Sequence, residues 1–283
     1  MAGHCAVFRI GVMCGVLGVS VSGYYAWRQR PVSQREEANQ ALVQRIRRLH
    51  QGSHQTYGSP RIWAELRAEG EQCSRKRVAR LMRLYHIGAR RPRRYTVTTQ
   101  SQHQYPVAPN VLGRDFSASA PNQKWVADIT YVPTQEGWLY LATLMDLFSR
   151  KIIGWAMDQS LATDLTCQAL RMALAGRQPR AGLLHHSDRG SQYASQAYQS
   201  ILQARGIQVS MSRSGNCYDN AAMESLFGTI KTELIHGQNY RTRQEAKTAI
   251  FAYIETFYNR RRRHSTLDYQ SPDQFEQNHA LSC

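Results

Sequence analysis

Along the first third of the chain, apolar residues recur at steps of three and four. Val7, Ile10, Met13 and Cys14 have this spacing, and Gly18-Val19-Ser20 offers a turn with Ser20 or Ser22 as cap of a short second helix. The pattern predicts helix, turn, helix over 7–27, as a buried pair. Leu42, Val43, Ile46 and Leu49 then mark one side of a helix over 36–50. Pro60 opens another through Ala68, a permitted first-turn place for proline, and Gly70 ends it. Ser74 caps the next, which runs to Tyr85. Its apolar stripe is Val78, Leu81, Met82 and Tyr85, and its other faces carry Arg75, Lys76, Arg77, Arg80 and Arg83. Gly88 stops it, and Arg90, Arg91, Arg93 and Arg94 follow. Residues 96–120 are polar and carry Pro106 and Pro109, with Pro121 just beyond, which reads as a linker.

From Lys124 the period shortens to two. Trp125–Val132, Trp138–Asp146 and Ile152–Met157 read as strands joined by the short turns Gln135-Glu136-Gly137 and Ser149-Arg150-Lys151, an antiparallel meander. A helix over 163–175, a short buried strand over 183–186, a helix over 195–205 ended by Gly206 and a strand over 208–210 follow. Then come helices over 221–236 and 244–258, the second with Ala246, Ile250, Tyr253, Ile254 and Phe257 on its apolar face. Periodicity by itself supports a mixed α/β domain preceded by a small helical one.

The 283 residues suffice for about two domains. Charge adds a direction: 36 basic residues against 20 acidic ones give a net charge of +16. Such an excess points to a polyanionic partner, nucleic acid or an anionic surface. It is concentrated at the front, with 19 Lys and Arg against 6 Asp and Glu in residues 1–120 and 17 against 14 in the remainder. Six cysteines are scattered with no Cys-x-x-Cys pair, which argues against a zinc finger and for reduced thiols in a cytosol. The apolar run from Val7 to Val21 is interrupted by Arg9 and three glycines and is too short to cross a bilayer, so no membrane partner is expected.

The chemistry lies between Trp125 and Lys231. Asp128 sits in Lys124-Trp125-Val126-Ala127-Asp128-Ile129-Thr130-Tyr131-Val132, Asp188 ends Leu183-Leu184-His185-His186-Ser187-Asp188, and Glu224 lies in Asp219-Asn220-Ala221-Ala222-Met223-Glu224-Ser225. Sixty positions separate the first two acids, and 35 residues lie between the second and the third. Lys231 follows Glu224 by two helical turns on the same face. Singly, Asp128 reads as a strand-edge acid and Glu224 as a helix-dipole partner. Together, in these contexts and this order, they resemble the Asp-Asp-Glu core of integrases and insertion-sequence transposases. Tyr57-Gly58-Ser59-Pro60-Arg61 is similar to the small helical domain that precedes that core, and Tyr258-Asn259-Arg260-Arg261-Arg262-Arg263-His264-Ser265-Thr266-Leu267 to the family's C-terminal signature. The start of the chain resembles the second-frame protein of certain bacterial insertion sequences.

The resemblance implies a ribonuclease-H-like core, a mixed five-stranded sheet with helices, behind a small all-α helix-turn-helix domain. It divides the chain into an N-terminal helical segment (1–34), a helix-turn-helix-like domain (35–95), a linker (96–120) and a core with a C-terminal helical extension (121–283). It implies metal-dependent strand cleavage at element ends and transfer of the resulting 3′-hydroxyls into target DNA. Asp128, Asp188 and Glu224 would be both catalytic and metal-binding, with Mg²⁺ or Mn²⁺ as cofactor and two ions per active site. In that allocation Asp128 bridges both ions and the other two acids hold one each. Hard ions take oxygen ligands, so carboxylates suit them. Candidate DNA contacts are Arg75, Lys76, Arg77 and Arg80 on the basic helix and Lys231 beside the triad. Implied partners are duplex DNA (element ends and target), a second copy of the chain on DNA, and an upstream-frame helix-turn-helix protein. The implied location is the bacterial cytoplasm, at the nucleoid. Two other readings fit the fold: a nuclease that cuts without joining, and a DNA-binding regulator with an inactive core, against which the presence of all three acids counts.

The remaining polar residues take lesser roles. His185 and His186 are expected to position DNA or support the acids. Asp146 reads as structural, and Asp219 and Asn220 as caps of the Glu224 helix. The loop from Ser212 to Asn216 is small and polar enough to close on DNA, and the arginines at 260–263 form either a solvated face or a phosphate clamp.

Overall fold

In the computed structural model of the chain the described residues are 2–90, 105–213 and 216–282. Arg91, Arg93, Arg94, residues 96–104 of the linker and the Ser214-Gly215 tip of the polar loop lie outside them. The chain divides into two compact units, Met1–Arg47 and Arg48–Cys283.

The first unit holds α1 (Ile10–Val16), α2 (Val21–Gln29) and most of α3 (Gln34–Gly52). Ser20 caps α2 as its sequence suggests, accepting from the Gly23 N–H at 3.0 Å. The expected burial of this pair is corrected. Only Cys14 and Tyr24 are buried on α1 and α2, while Val12, Val16, Tyr25 and Trp27 are exposed. Two helices of seven and nine residues can bury little beyond the seam between them. Among the described residues no single helix is long and apolar enough to cross a membrane, and α1 and α2 bend 107° apart.

The second unit begins with the end of α3, followed by α4 (Ser59–Ala68) and α5 (Arg75–Leu84), which a short turn joins. The Trp63 indole donates to the Cys73 carbonyl at 2.9 Å and so pins the turn. Ser74 caps α5 by accepting from the Arg77 N–H at 3.2 Å, and Val78, Leu81 and Met82 are buried. Burying that stripe leaves Arg75, Lys76, Arg80 and Arg83 on the exposed side, with Arg77 half-buried.

The sheet is formed by β1 (Lys124–Thr134), β2 (Gly137–Asp146), β3 (Ile152–Asp158), then, after α6 (Thr163–Arg177), β4 (Leu184–Ser187) and, after α7 (Ser191–Ala194) and α8 (Gln196–Gln203), β5 (Gln208–Met211). Its order is β3-β2-β1-β4-β5. β1, β2 and β3 form the expected antiparallel meander, whereas β4 runs parallel to β1 and β5 parallel to β4. This mixed five-stranded sheet with its helices is the ribonuclease-H-like fold. One face packs Trp125, Ala127, Ala142 and Leu144 against Leu170, Ala173, Tyr198 and Leu202 from α6 and α8. β3 and α6 approach so closely at Gly154 that a Cβ there would collide with the Ala169 carbonyl and lie 2.8 Å from the Ala173 methyl. Side chains alternate along a strand, so Val126 and Asp128 point to the opposite face.

That second face is covered by α9 (Ala221–Ile230) and α10 (Arg243–Ala252). Each ends in a π-helical turn, Lys231–Ile235 and Tyr253–Tyr258, in place of the uninterrupted helices the periodicity predicts. The widened turns bring Glu233 and Tyr253 together at 2.6 Å inside the unit. The helix expected over 195–205 is α8, which Ser195 caps by accepting from the Tyr198 N–H at 3.3 Å, and the four-residue α7 before it is not expected from the sequence. α11 (Pro272–Ser282), not expected from the sequence, closes the unit. Its Glu276 accepts from Arg177 and from Ser149, and its Phe275 packs on Phe148 at 5.0 Å between ring centroids.

Residues 105–120 form no helix or strand, yet they are fastened down. Ser210 Oγ accepts from the N–H groups of Val111 (2.9 Å) and Leu112 (3.1 Å), and Leu112 is buried. The arginine run also divides. Arg260 and Arg261 are exposed, whereas Arg262 is buried against Glu233 and Arg263 pairs with Glu65 of α4 at 3.0 Å.

Candidate active site

The sixty-position interval between the first two acids is the strand register itself. Lys124, Trp125, Val126 and Ala127 on β1 pair with Leu184, His185, His186 and Ser187 on β4, each sixty positions apart. Asp128 and Asp188 stand one step further along the same pairing, Asp188 just past the end of β4. Neighbouring strands lie about 4.8 Å apart, so the two acids are side by side. Glu224 enters from above, exposed in the first turn of α9.

The electrostatics tie the three together. Burial, then the charges of Asp188 and Glu224, push the Asp128 carboxyl well above the ordinary carboxylate range. Three contacts oppose this. The Ile129 N–H donates to Asp128 Oδ1 at 2.7 Å, the Asn220 amide donates to Oδ2 at 3.0 Å, and the Lys231 ammonium adds an attractive charge. Asp188 Oδ1 accepts from the Gly190 N–H at 2.9 Å, which folds the loop after β4 back on the carboxylate. Burial raises Glu224 and lowers Lys231, and the Lys231 ammonium lies 5.6 Å from the centre of the Tyr131 ring.

Asn220 is a residue whose role the sequence misassigns. It stands at the N-cap of α9 but makes no capping bond, and its amide goes to Asp128 instead. Asp219 does not cap the helix either. It is fully buried and accepts from Arg213 (2.8 and 2.9 Å), Arg114 (2.9 Å) and Asn110 (2.8 Å), which hold it far below the usual carboxylate range. The segment before α9 is thus clamped to the residues before β1. Tyr193 belongs to no motif, yet its buried hydroxyl has no hydrogen-bond partner among the described residues and feels the charges of Asp128 and Asp188.

The histidines do not face DNA. Both are fully buried, His185 with Nε2 against the Tyr198 hydroxyl at 2.9 Å and His186 between Ser210 (2.8 Å) and Ser212 (3.1 Å). Burial holds the first down to about 3 and the second to about 4, so both are neutral braces beneath Asp188. Asp146 is structural, buried and accepting from the N–H groups of Asn122 (2.8 Å) and Phe148 (3.0 Å). On α5 the Arg75 guanidinium lies 5.5 Å from the centre of the Trp63 ring.

The donors present suit a hard divalent ion. Carboxylates that repel one another are stabilised by a cation, and the buried Asn220 Oδ1 beside them has no hydrogen-bond partner. Among the described residues no group of three or more His, Cys, Asp and Glu side chains stands close enough to hold a metal ion, so the structure does not draw Asp128, Asp188 and Glu224 into a finished metal site.

Comparison with known proteins bears on the same stretches. The chain is 47% identical, over 94% of its length and 97% of the relative's, to an insertion element IS600 31 kDa protein of Shigella sonnei. It is 44% identical, over 96% of each chain, to the transposase InsF for insertion sequence IS3A of Escherichia coli K12. The chain belongs to the insertion-sequence transposases of the Asp-Asp-Glu superfamily. Integrase core domain models match the transposase at residues 118–217 and 224–280, and an HTH-like domain model matches 37–95. Among solved structures, the HTLV-2 integrase catalytic core domain in complex with magnesium is 18% identical, with a TM-score of 0.44, covering 56% of the transposase and 99% of that chain. A chain of the simian T-cell lymphotropic virus intasome is 16% identical, with a TM-score of 0.46, covering 82% and 74% respectively. The transposase is a polynucleotidyl transferase that acts on DNA.

Proposed function

We propose that this transposase cuts DNA at the ends of its element, leaving 3′-hydroxyls, and joins those hydroxyls to target DNA in the same site. Asp128, Asp188 and Glu224 carry both reactions. The observation that supports this most directly is the burden on Asp128, whose carboxyl is pushed up by burial and by both other acids at once. Asp128, Asp188 and Glu224 would hold Mg²⁺ or Mn²⁺, two ions per site, and the bound metal would supply an activated oxygen nucleophile and stabilise the leaving oxygen.

The chain's own groups set the geometry. The Asn220 amide and the Ile129 N–H fix both Asp128 oxygens, and Gly190 fixes Asp188. Lys231, held on the Tyr131 ring, meets DNA beside Glu224. Arg75, Lys76, Arg77 and Arg80 on α5 grip duplex DNA, and a second copy of the chain completes the working assembly in the bacterial cytoplasm. Cutting without joining would need the same acids, so the test must score both products. Duplexes carrying candidate element ends are incubated with Mg²⁺, and nicked and joined strands are counted. Asp128→Asn, Asp188→Asn and Glu224→Gln should each abolish both products with unchanged circular dichroism, and the losses should not add, because the three act as one unit. Near-normal activity in any one variant removes that residue from the site.

A further inference from the structure

A pocket of about 310 Å³ lies beside α9 and is walled by Arg61, Arg150, Arg262, His264, Ser225 and Thr229. It gathers three guanidinium groups from three parts of the chain: the start of α4, the β2–β3 turn and the C-terminal signature. Among the described residues no acidic side chain lines it. Glu233 stands behind Arg262 and is bound to it at 2.7 Å, but lies 3.9 Å from Arg61. Arg150 donates only a long bond, 3.4 Å, to the Phe116 carbonyl. Burial works against the charges of Arg61 and Arg150, and burial first, then the charges of Arg262, Arg61 and Arg150, hold His264 well below its ordinary range.

Glu233 alone faces three guanidinium groups and is bound to Arg262, so the half-closed pocket keeps an excess of positive charge that calls for an anion. Two further features narrow its kind. The first turn of α9, uncapped by any side chain, lines the pocket through Ala221 and Ala222, and a helix N-terminus favours negative charge. Hydroxyls of Ser225 and Thr229 stand on the same helix face. Guanidinium forks, hydroxyls and a helix N-terminus are the groups that hold phosphate oxygens. Ser225 follows Glu224 on α9 about 100° round the helix, so the pocket opens on the helix face next to the one that carries Glu224.

We propose that this pocket seats one backbone phosphate of the DNA strand that crosses α9, as a site separate from the three carboxylates. The inference rests on the reading that Glu224 belongs to the active site. It gives the C-terminal signature a direct part in holding DNA, through Arg262 and His264 from within rather than through the exposed Arg260 and Arg261.

The test uses the full chain and a labelled duplex in metal-free buffer, where no strand is cut, with binding measured across a salt series. Arg61→Gln removes one cation. Thr229→Glu fills the pocket with its own anion, which three arginines can accept without loss of the fold. Each should lower the slope of log affinity against log salt by about 0.9, the value for one phosphate no longer neutralised. Each should also weaken binding roughly tenfold at fixed salt, since a hydrogen bond to a charged group contributes about 1.5 kcal/mol. Arg171→Gln, on exposed α6 surface, controls for general loss of charge and should leave the slope unchanged. A second arm compares thermal stability in inorganic phosphate and in chloride at matched ionic strength. If both pocket variants fold and keep the wild-type slope, the proposal is overturned. If phosphate nevertheless raises the melting temperature of the wild type alone, the pocket is a small-anion site. Retained cleavage by Asp128→Asn would sink the catalytic reading and leave the binding result intact.

Discussion

Glu233→Gln should unfold the second unit more readily than almost any other single polar change. Glu233 and Arg262 side chains are each 4% exposed, so solvent screens their pairing little. Glu233 accepts from Arg262 at 2.8 Å through Nε and 2.7 Å through the terminal nitrogen, and from the Tyr253 hydroxyl at 2.6 Å. Glutamine keeps the shape but turns an amide group toward either a guanidinium or a hydroxyl donor. It leaves Arg262 charged, buried and close to Arg61 and Arg150. Breaking a buried ion pair from one side costs about 3–5 kcal/mol. For a unit of this size each kcal/mol lowers the melting temperature by about 2–4 °C, so a fall of roughly 6–20 °C is expected. Joint replacement by Glu233→Met and Arg262→Met removes both charges and should recover most of the loss, because apolar residues of similar volume are often neutral there. Urea denaturation followed by circular dichroism on the wild type, Glu233→Met, Arg262→Met and the double variant gives the coupling energy. A single variant within about 1 kcal/mol of wild type, or a double variant no better than the single, refutes the reasoning.

Two further outcomes are expected. Replacing Arg75, Lys76, Arg77 and Arg80 by Ala should keep α5 helical, as alanine favours helix, while lowering the salt slope of duplex binding by about 0.9 for each phosphate that α5 neutralises; an unchanged slope would remove α5 from the DNA surface. Stability should fall as pH drops below about 6.5, because the unfolded chain protonates histidines that the folded chain keeps neutral through burial, among them His185 and His264. The native state binds fewer protons there, so each such histidine contributes up to about 1.4 kcal/mol per pH unit, and His264→Gln should flatten the decline measured by denaturation between neutral pH and pH 5.

What the sequence makes legible is local or periodic. The meander announces itself by alternation and short turns, and Ser20, Ser74 and Ser195 cap helices with their own hydroxyls. Ser195 reads as the start of one long helix, and the four-residue α7 before it is too short to register a period. α11 escapes because its apolar positions follow no helical stripe. The triad is legible through its spacing, and the sixty-residue interval is a register. Asn220 illustrates the limit: an asparagine before a helix normally caps it, and only the proximity of β1, 92 positions earlier, diverts its amide to Asp128. The partners of the arginine run are beyond any local reading. Glu233 lies 29 positions from Arg262, and Glu65 lies 198 positions from Arg263.

The fastening of residues 109–112 has a consequence for crowding. β5 is a four-residue strand at the margin of the sheet, and an open margin can recruit a strand from another molecule. Here the chain's own preceding segment covers it, with the Met211 N–H donating to the Pro109 carbonyl at 3.4 Å and Ser210 holding the two residues that follow. Copies of the transposase gathered at high local concentration on one piece of DNA therefore meet a blunted border there.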